Sequence, residues 1–155
     1  MIMRAPIAFA IAGMLIAACG STSTSQASPS PAAATQTVVA VVAKSVKGQS
    51  EPVLVNSNAM TLYYLTSDTA TTLACSGQCA TFWPPLLLPS GTPSAGSSLS
   101  GALTIRAGAN GPQVLYNGHP LYAFSKDKTS NDVNGEGINA FGGTWHAATP
   151  SLAAM

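Results

Sequence analysis

Charge is scarce in this chain: its 155 residues carry six Lys and Arg against five Asp and Glu, a formal net charge of +1. So sparse and balanced a set leaves no basic stripe for a nucleic-acid backbone and no polybasic patch for an anionic lipid surface. Long periodic helical patterns are missing too, which leaves strands as the main element. Cysteines number three and histidines two. No Cys-x-x-Cys-His run occurs, so covalent haem attachment is excluded. No serine sits in a Gly-x-Ser-x-Gly elbow, which argues against a hydrolase of that type. Apart from one apolar run at the N-terminus, hydropathy comes from scattered Ala, Val and Leu rather than from a membrane-spanning segment.

That N-terminal run has a recognisable layout. "MIMRAPIAFAIAGMLIAAC" places one positive charge, Arg4, before an apolar stretch at residues 7–16, and small residues just before Cys19. It is too short to span a bilayer permanently and reads as an export signal over residues 1–18. The sequence Ile16-Ala17-Ala18-Cys19 resembles the lipobox of bacterial lipoproteins. The resemblance implies cleavage before Cys19, diacylation of its sulfur, and membrane attachment through that lipid. The plainer alternative is a secretory signal with a chance cysteine. From Cys19 to Gln36 the chain has no charge, no aromatic residue and no apolar periodicity. Such a segment cannot bury enough apolar surface to offset its ordering entropy. As a flexible tether of about 17 residues it reaches roughly 20–25 Å on average.

The remainder is one domain's worth of chain and contains an internal duplication. "NAMTLYYLTSD" at 58–68 aligns without gaps on "NGHPLYAFSKD" at 117–127, an offset of 59 residues. Further on, "WPPLLLPS" from Trp83 answers "WHAATPS" from Trp145. The copies span residues 37–88 and 103–150, separated by a Gly/Ser/Pro-rich joint at 89–102 and followed by a tail at 151–155.

Local signals inside each copy favour strands. "QVLYNGHPLYAF" flanks Asn117-Gly118 with two β-prone runs, the strongest short hairpin signal, since both central residues accept positive φ. "EPVLVNSNAMTLYYL" reads the same way with a looser turn at residues 56–58. "TVVAVVAKSV" at 37–46 is β-branched enough for another strand, although its Ala content leaves a helix open; "TIRAG" from Thr104 supplies a further short strand, and each Trp begins or caps a terminal one. The fold expected is all-β or mostly β: two related hairpin-containing repeats packed into one small domain, with a short helical turn near Cys75 and Cys79.

Export bears on those two thiols. Outside the cytoplasm thiols oxidise, and with Cys19 committed to lipid, Cys75 and Cys79 remain as an even pair. One helical turn over 75–79 would hold their Cα atoms about 6 Å apart, within disulfide range. A zinc site would need both histidines to converge with the pair, and a thioredoxin-like redox pair would need one residue less between the thiols. A disulfide is the expectation.

The motifs Leu62-Tyr63 to Asp68 and Leu121-Tyr122 to Asp127 resemble those of the bacterial secreted-repeat lipoproteins, defined by a Tyr, any residue, an aromatic, two more residues and an Asp. The second copy matches fully, with Tyr122, Phe124 and Asp127, whereas in the first Leu65 replaces the aromatic between Tyr63 and Asp68. In that family the first repeat continues into a Cys-x-x-x-Cys and Trp-Pro-Pro, as at Cys75, Cys79 and Trp83. The second continues into a Gly-rich stretch before a Trp, as at residues 134–145. The resemblance covers roughly residues 37–150 and implies a secreted two-repeat module, with no activity attached.

Individual residues carry their own alternatives. Tyr63, Tyr122 and Phe124 alternate with polar positions, which fits core packing first and a binding face second. Asp68 and Asp127 close their strands, where they bond turn amides or form a carboxylate pair for acid/base chemistry. "DKTSNDVNGEG" at 127–137 imitates the start of a calcium loop, but position twelve falls on Gly143, where a bidentate Glu is required. His119 and His146 are the side chains suited to copper or haem iron if they converge. The leading expectation is therefore a membrane-anchored, extracytoplasmic, non-enzymatic binding or structural module without a cofactor, its protein or small-molecule ligand not specified by the residues. The alternative is a metal or haem carrier that uses His119 and His146. A hydrolytic or redox enzyme is a distant third.

Overall fold

A computed structural model of the chain describes residues 34–69, 71–96 and 99–155. The export signal, Cys19 and all but the last residues of the expected tether lie outside the described residues. Among the described residues no helix is long and apolar enough to cross a membrane.

The β-branched run at the start forms a long strand, β1 (Thr35–Val46), which turns back into β2 (Gln49–Val55). The two pair antiparallel from Val46↔Gln49 to Ala40↔Val55. Lys47 and Gly48 make the turn with φ of 49° and 83°, the pair of left-handed residues whose twist suits a two-residue hairpin. The same geometry recurs at Asn117 and Gly118, with φ of 50° and 87°. The second turn is legible as Asn-Gly. The first is hidden because a lysine occupies a position that favours Asn, Asp or Gly, at a cost of about 1 kcal/mol.

After β2 come β3 (Tyr63–Leu65), α1 (Gln78–Phe82) and β4 (Thr92–Ala95). The second copy supplies β5 (Leu103–Gly108), β6 (Gly111–Tyr116), β7 (His119–Pro120), β8 (Asn139–Ala140) and β9 (Gly143–Ala147). They assemble into three-stranded sheets in the orders β2-β1-β4, β3-β9-β8 and β5-β6-β7. Among the described residues the fold is thus mostly β, with one short helix beside the cysteine pair. Two details go beyond the sequence reading. The Gly/Ser/Pro-rich joint contains β4, which runs parallel to the start of β1. The hairpin expected around residues 56–58 closes through a single bridge, Val55↔Thr61, and the Asn56 side-chain oxygen accepts from the amides of Asn58 and Met60 at 2.9 and 3.1 Å.

The main partner of β3 lies in the other repeat. β3 pairs antiparallel with β9, with Tyr63 opposite Ala147 and Leu65 opposite Trp145. Reciprocally, Tyr122 bridges Pro85, and the Ala123 amide donates to the Pro84 carbonyl at 2.8 Å. Each repeat therefore lays its Trp-bearing segment on the Tyr-bearing strand of the other. The exchange carries a matching ring of backbone hydrogen bonds in each half. In one, Leu54 donates to Ala148, Ala148 to Leu62 and Leu62 to Leu54, all at 2.8 Å. In the other, Val114 donates to Leu86 at 2.8 Å, Leu86 to Leu121 at 2.9 Å and Leu121 to Val114 at 3.0 Å.

These central strands separate two apolar clusters, which explains their continuous apolar runs. Successive side chains point to opposite faces, so a strand buried on both sides shows no polar alternation. Val53 and Val55 enter one cluster and Leu54 the other; Tyr63 and Leu65 enter the first while Leu62 enters the second. Trp83 and Trp145 stack in the first cluster at 3.8 Å between ring centroids and 2° between planes. Tyr63 meets Trp83 edge-on at 5.5 Å, and Tyr122 meets Trp145 edge-on at 5.2 Å, so the four rings repeat the duplication.

Beside this cluster Cys75 and Cys79 form a disulfide, with their Cα atoms 5.2 Å apart. Cys75 precedes α1 rather than lying in it, so the bond ties the segment leading into the helix to the helix itself. The second repeat has no disulfide; there Gly135 comes up against the same aromatic group. A Cβ at Gly135 would fall 2.7 Å from Tyr63 Cε1 and 2.9 Å from Trp83 Cη2, closer than any side chain tolerates.

Candidate ligand-binding cleft

The motif residues form a clamp between repeats. Tyr63 donates its hydroxyl to Asp127 Oδ2 at 2.7 Å, and Tyr122 donates to Asp68 Oδ2 at 3.0 Å. The other oxygen of each carboxylate closes the loop that follows it: Asp68 Oδ1 accepts the Ala74 amide at 2.6 Å, and Asp127 Oδ1 the Asn134 amide at 3.0 Å. All four side chains are buried. Burial, joined by the bond to Asp127, pushes the Tyr63 phenol far above its ordinary range; burial and the Asp68 charge do the same to Tyr122. Both phenols stay protonated as donors. Burial also raises Asp68, against the pull of the Ala74 amide and the Tyr122 hydroxyl. Each aspartate is thus engaged through both oxygens by its own loop and the opposite tyrosine, rather than facing the other across an open site. Phe124, the motif aromatic of the second copy, stacks on Trp83 at 4.2 Å, while Leu65 stands in register with Trp145.

A buried lysine reinforces the same junction. Lys44 Nζ donates to the Ala59 carbonyl at 2.9 Å and Thr61 Oγ1 at 2.8 Å, and the Thr61 hydroxyl donates to the Asp132 carbonyl at 2.6 Å. Burial lowers the Lys44 ammonium, opposed by the charges of Asp127 and Asp132. The acidic loop that imitates a calcium site has its carboxylates occupied elsewhere. Asp132 bonds the amides of Lys128 and Thr129, and Glu136 points to β9.

The open chemistry lies beside β9. A cleft of about 460 Å³ runs between the β1–β2 hairpin, the β3–β9 pair and the C-terminal segment. Val46, Val53, Ala147 and Leu152 form its apolar walls, and Lys47, Glu51, Tyr64, Glu136 and His146 bring polar groups to it. Glu136 is the best-anchored of these. Its Oε2 accepts the Ala147 amide at 2.8 Å, and its Oε1 accepts from Lys47 Nζ at 3.1 Å and pairs with His146 Nδ1 at 3.0 Å. Burial opposes the charge on Glu136, but the Ala147 amide, His146 and Lys47 together outweigh it and hold the carboxyl below its usual range.

The two histidines both approach Tyr64, His119 at 5.1 Å and His146 at 5.8 Å between ring centroids. His119 Nε2 lies 3.0 Å from the Ala153 carbonyl, and its Nδ1 is buried with no hydrogen-bond partner. With these contacts kept, the ring nitrogens left to a copper or haem iron are His119 Nδ1 and His146 Nε2. Among the described residues no group of three or more His, Cys, Asp and Glu is disposed to hold a metal ion. Sequence reasoning passed over Lys47 and Tyr64, and it weighed Glu136 only as part of the calcium-like loop. No local pattern marks them as a group, because Lys47 and Glu136 meet across 89 residues of chain.

Comparison with known proteins adds one match. A sequence model of the family described as a secreted repeat of unknown function matches residues 44–87 and 104–149, the same two copies that the structure interlocks. No curated protein and no solved structure matches the chain.

Proposed function

Since this chain belongs to the family of secreted repeats of unknown function, we propose that it works outside the cytoplasm as a lipid-anchored, non-enzymatic binding module of the cell envelope. The secreted character of the family supports the compartment. The leader and Cys19 support an anchor through a diacylated cysteine, and the polar segment to Gln36 supports a tether that holds the domain clear of the bilayer. The observation that carries the binding role is a division of labour among side chains. The tyrosines and aspartates of the family motif are buried in the clamp between repeats, whereas the polar groups around the cleft face an accessible hollow.

Two measurements test this reading. Metabolic labelling with a fatty acid should mark the wild-type protein and place it in the membrane fraction, and Cys19→Ala should abolish both; a protein that stays unlabelled loses the anchor. Amide NMR spectra of the purified protein, titrated with soluble envelope extract, should shift around Tyr64, Glu136 and His146. Shifts confined to other surfaces would remove the cleft as the binding site.

A further inference from the structure

We propose that the cleft receives a primary ammonium group borne on a small polar ligand, and that Lys47 is the chain's own stand-in for that group. The inference rests on the cleft reading above and specifies its ligand class.

The argument starts at Glu136. Its side chain is only 12 % exposed, and it carries three partners: the Ala147 amide, His146 and Lys47. The first two belong to β9, which forms the wall of the cleft. Lys47 comes from the tip of a hairpin, and its side chain is 69 % exposed. A largely hydrated ion pair of this kind is weak and easily exchanged. A carboxylate as buried as Glu136, by contrast, is destabilised if left without a cation. An incoming ammonium replaces Lys47 charge for charge, so Glu136 remains paired throughout. A neutral hydroxyl does not match that charge, and an anion could pair with Lys47 only by facing both Glu136 and Glu51.

Other features of the hollow suit the same group. Glu51 is exposed, lines the cleft and has no ion-pair partner among the described residues, so it offers a second carboxylate. Tyr64 lines it as well, and an aromatic ring within about 6 Å attracts a cation. Val46, Val53, Ala147 and Leu152 provide apolar surface for the carbon frame that bears the amine. At about 460 Å³ the hollow has the size of a small-molecule site, too small for a folded partner. The turn itself supports a role for Lys47: a lysine held at φ 49° gives up backbone comfort that Asn or Gly would keep, and from that position its ammonium reaches Glu136.

The test is calorimetric and NMR titration of the full mature protein with 1,4-diaminobutane and glucosamine, with glucose and acetate as controls. Both amines should bind and shift Tyr64, Glu136 and His146, while glucose and acetate should not. Lys47→Met removes the internal competitor and should tighten amine binding about two- to five-fold; Glu51→Gln should weaken it several-fold. Glu136→Gln should abolish binding, with circular dichroism showing whether the fold survives. The inference is overturned if Lys47→Met leaves amine affinity unchanged, if glucose binds as well as glucosamine, or if neither amine binds. In any of these cases the cleft itself still stands or falls by the separate titration with envelope extract.

Discussion

Tyr63 and Tyr122 hold each other through their backbones: the amide of each donates to the carbonyl of the other, at 2.8 and 2.9 Å. Each then sends its hydroxyl to the aspartate of the opposite repeat. An approximate two-fold relation passes between them and accounts for the family motif physically. The Tyr supplies the bridge and the donor, and the Asp, five residues on, receives the other copy's phenol while closing its own loop. The pattern is a coupling device between copies, so it has to occur twice.

Removing one phenolic hydroxyl leaves a buried carboxylate without its side-chain donor. Tyr63→Phe and Tyr122→Phe should each lower stability by about 1–3 kcal/mol in urea unfolding, with little change in the slope. A double-mutant cycle sharpens the expectation. Tyr63 should couple to Asp127 and not to Asp68, although Asp68 is its neighbour in sequence; coupling to Asp68 instead would contradict the exchange.

Because each Trp-bearing segment completes the sheet of the other copy, neither copy can close its core alone. Fragments 34–99 and 100–155 should each be largely unfolded by circular dichroism and recover the native spectrum when mixed. Independent cooperative folding of either fragment would show that the exchanged strand is dispensable.

Acid should act with opposite signs at two carboxylates. Glu136 has its folded-state pKa lowered, so its contribution is present above the ordinary glutamate value of about 4.3 and lost as pH falls through the lower folded value. Asp68 is raised, so its charged form weakens the fold at neutral pH, and that penalty is relieved as pH falls through the raised value toward about 3.9. In thermal melts from pH 7 to about pH 2, Glu136→Gln should flatten the acid loss below the usual glutamate range, and Asp68→Asn should remove an opposing gain. Unchanged melting profiles in both variants would contradict these assignments.

How far the sequence could be read follows from the range of each interaction. The strand at 35–46 and the Asn117-Gly118 turn depend on side-chain branching and on φ preferences of adjacent residues, so both are visible locally. The Lys47-Gly48 turn is equally local but uses an atypical residue, and it is seen only with coordinates. Tyr64 shows no sign in the sequence of lying between His119 and His146, since neither neighbours it in the chain. The same holds for Glu136, which meets Lys47 from a loop otherwise legible only as a failed calcium site.

By itself the sequence determined the mostly-β class, the Asn117-Gly118 turn, the duplication and the secreted repeat family, because these depend on short-range backbone preferences and on motif spacing. The tertiary structure alone decided which Trp segment lies on which Tyr strand, and hence where the cleft opens. Two copies with the same apolar pattern offer each strand two equivalent partners, its own and the other's. A one-dimensional pattern cannot tell them apart; packing Trp83 against Trp145 and crossing the Tyr–Asp bonds selects the exchanged arrangement.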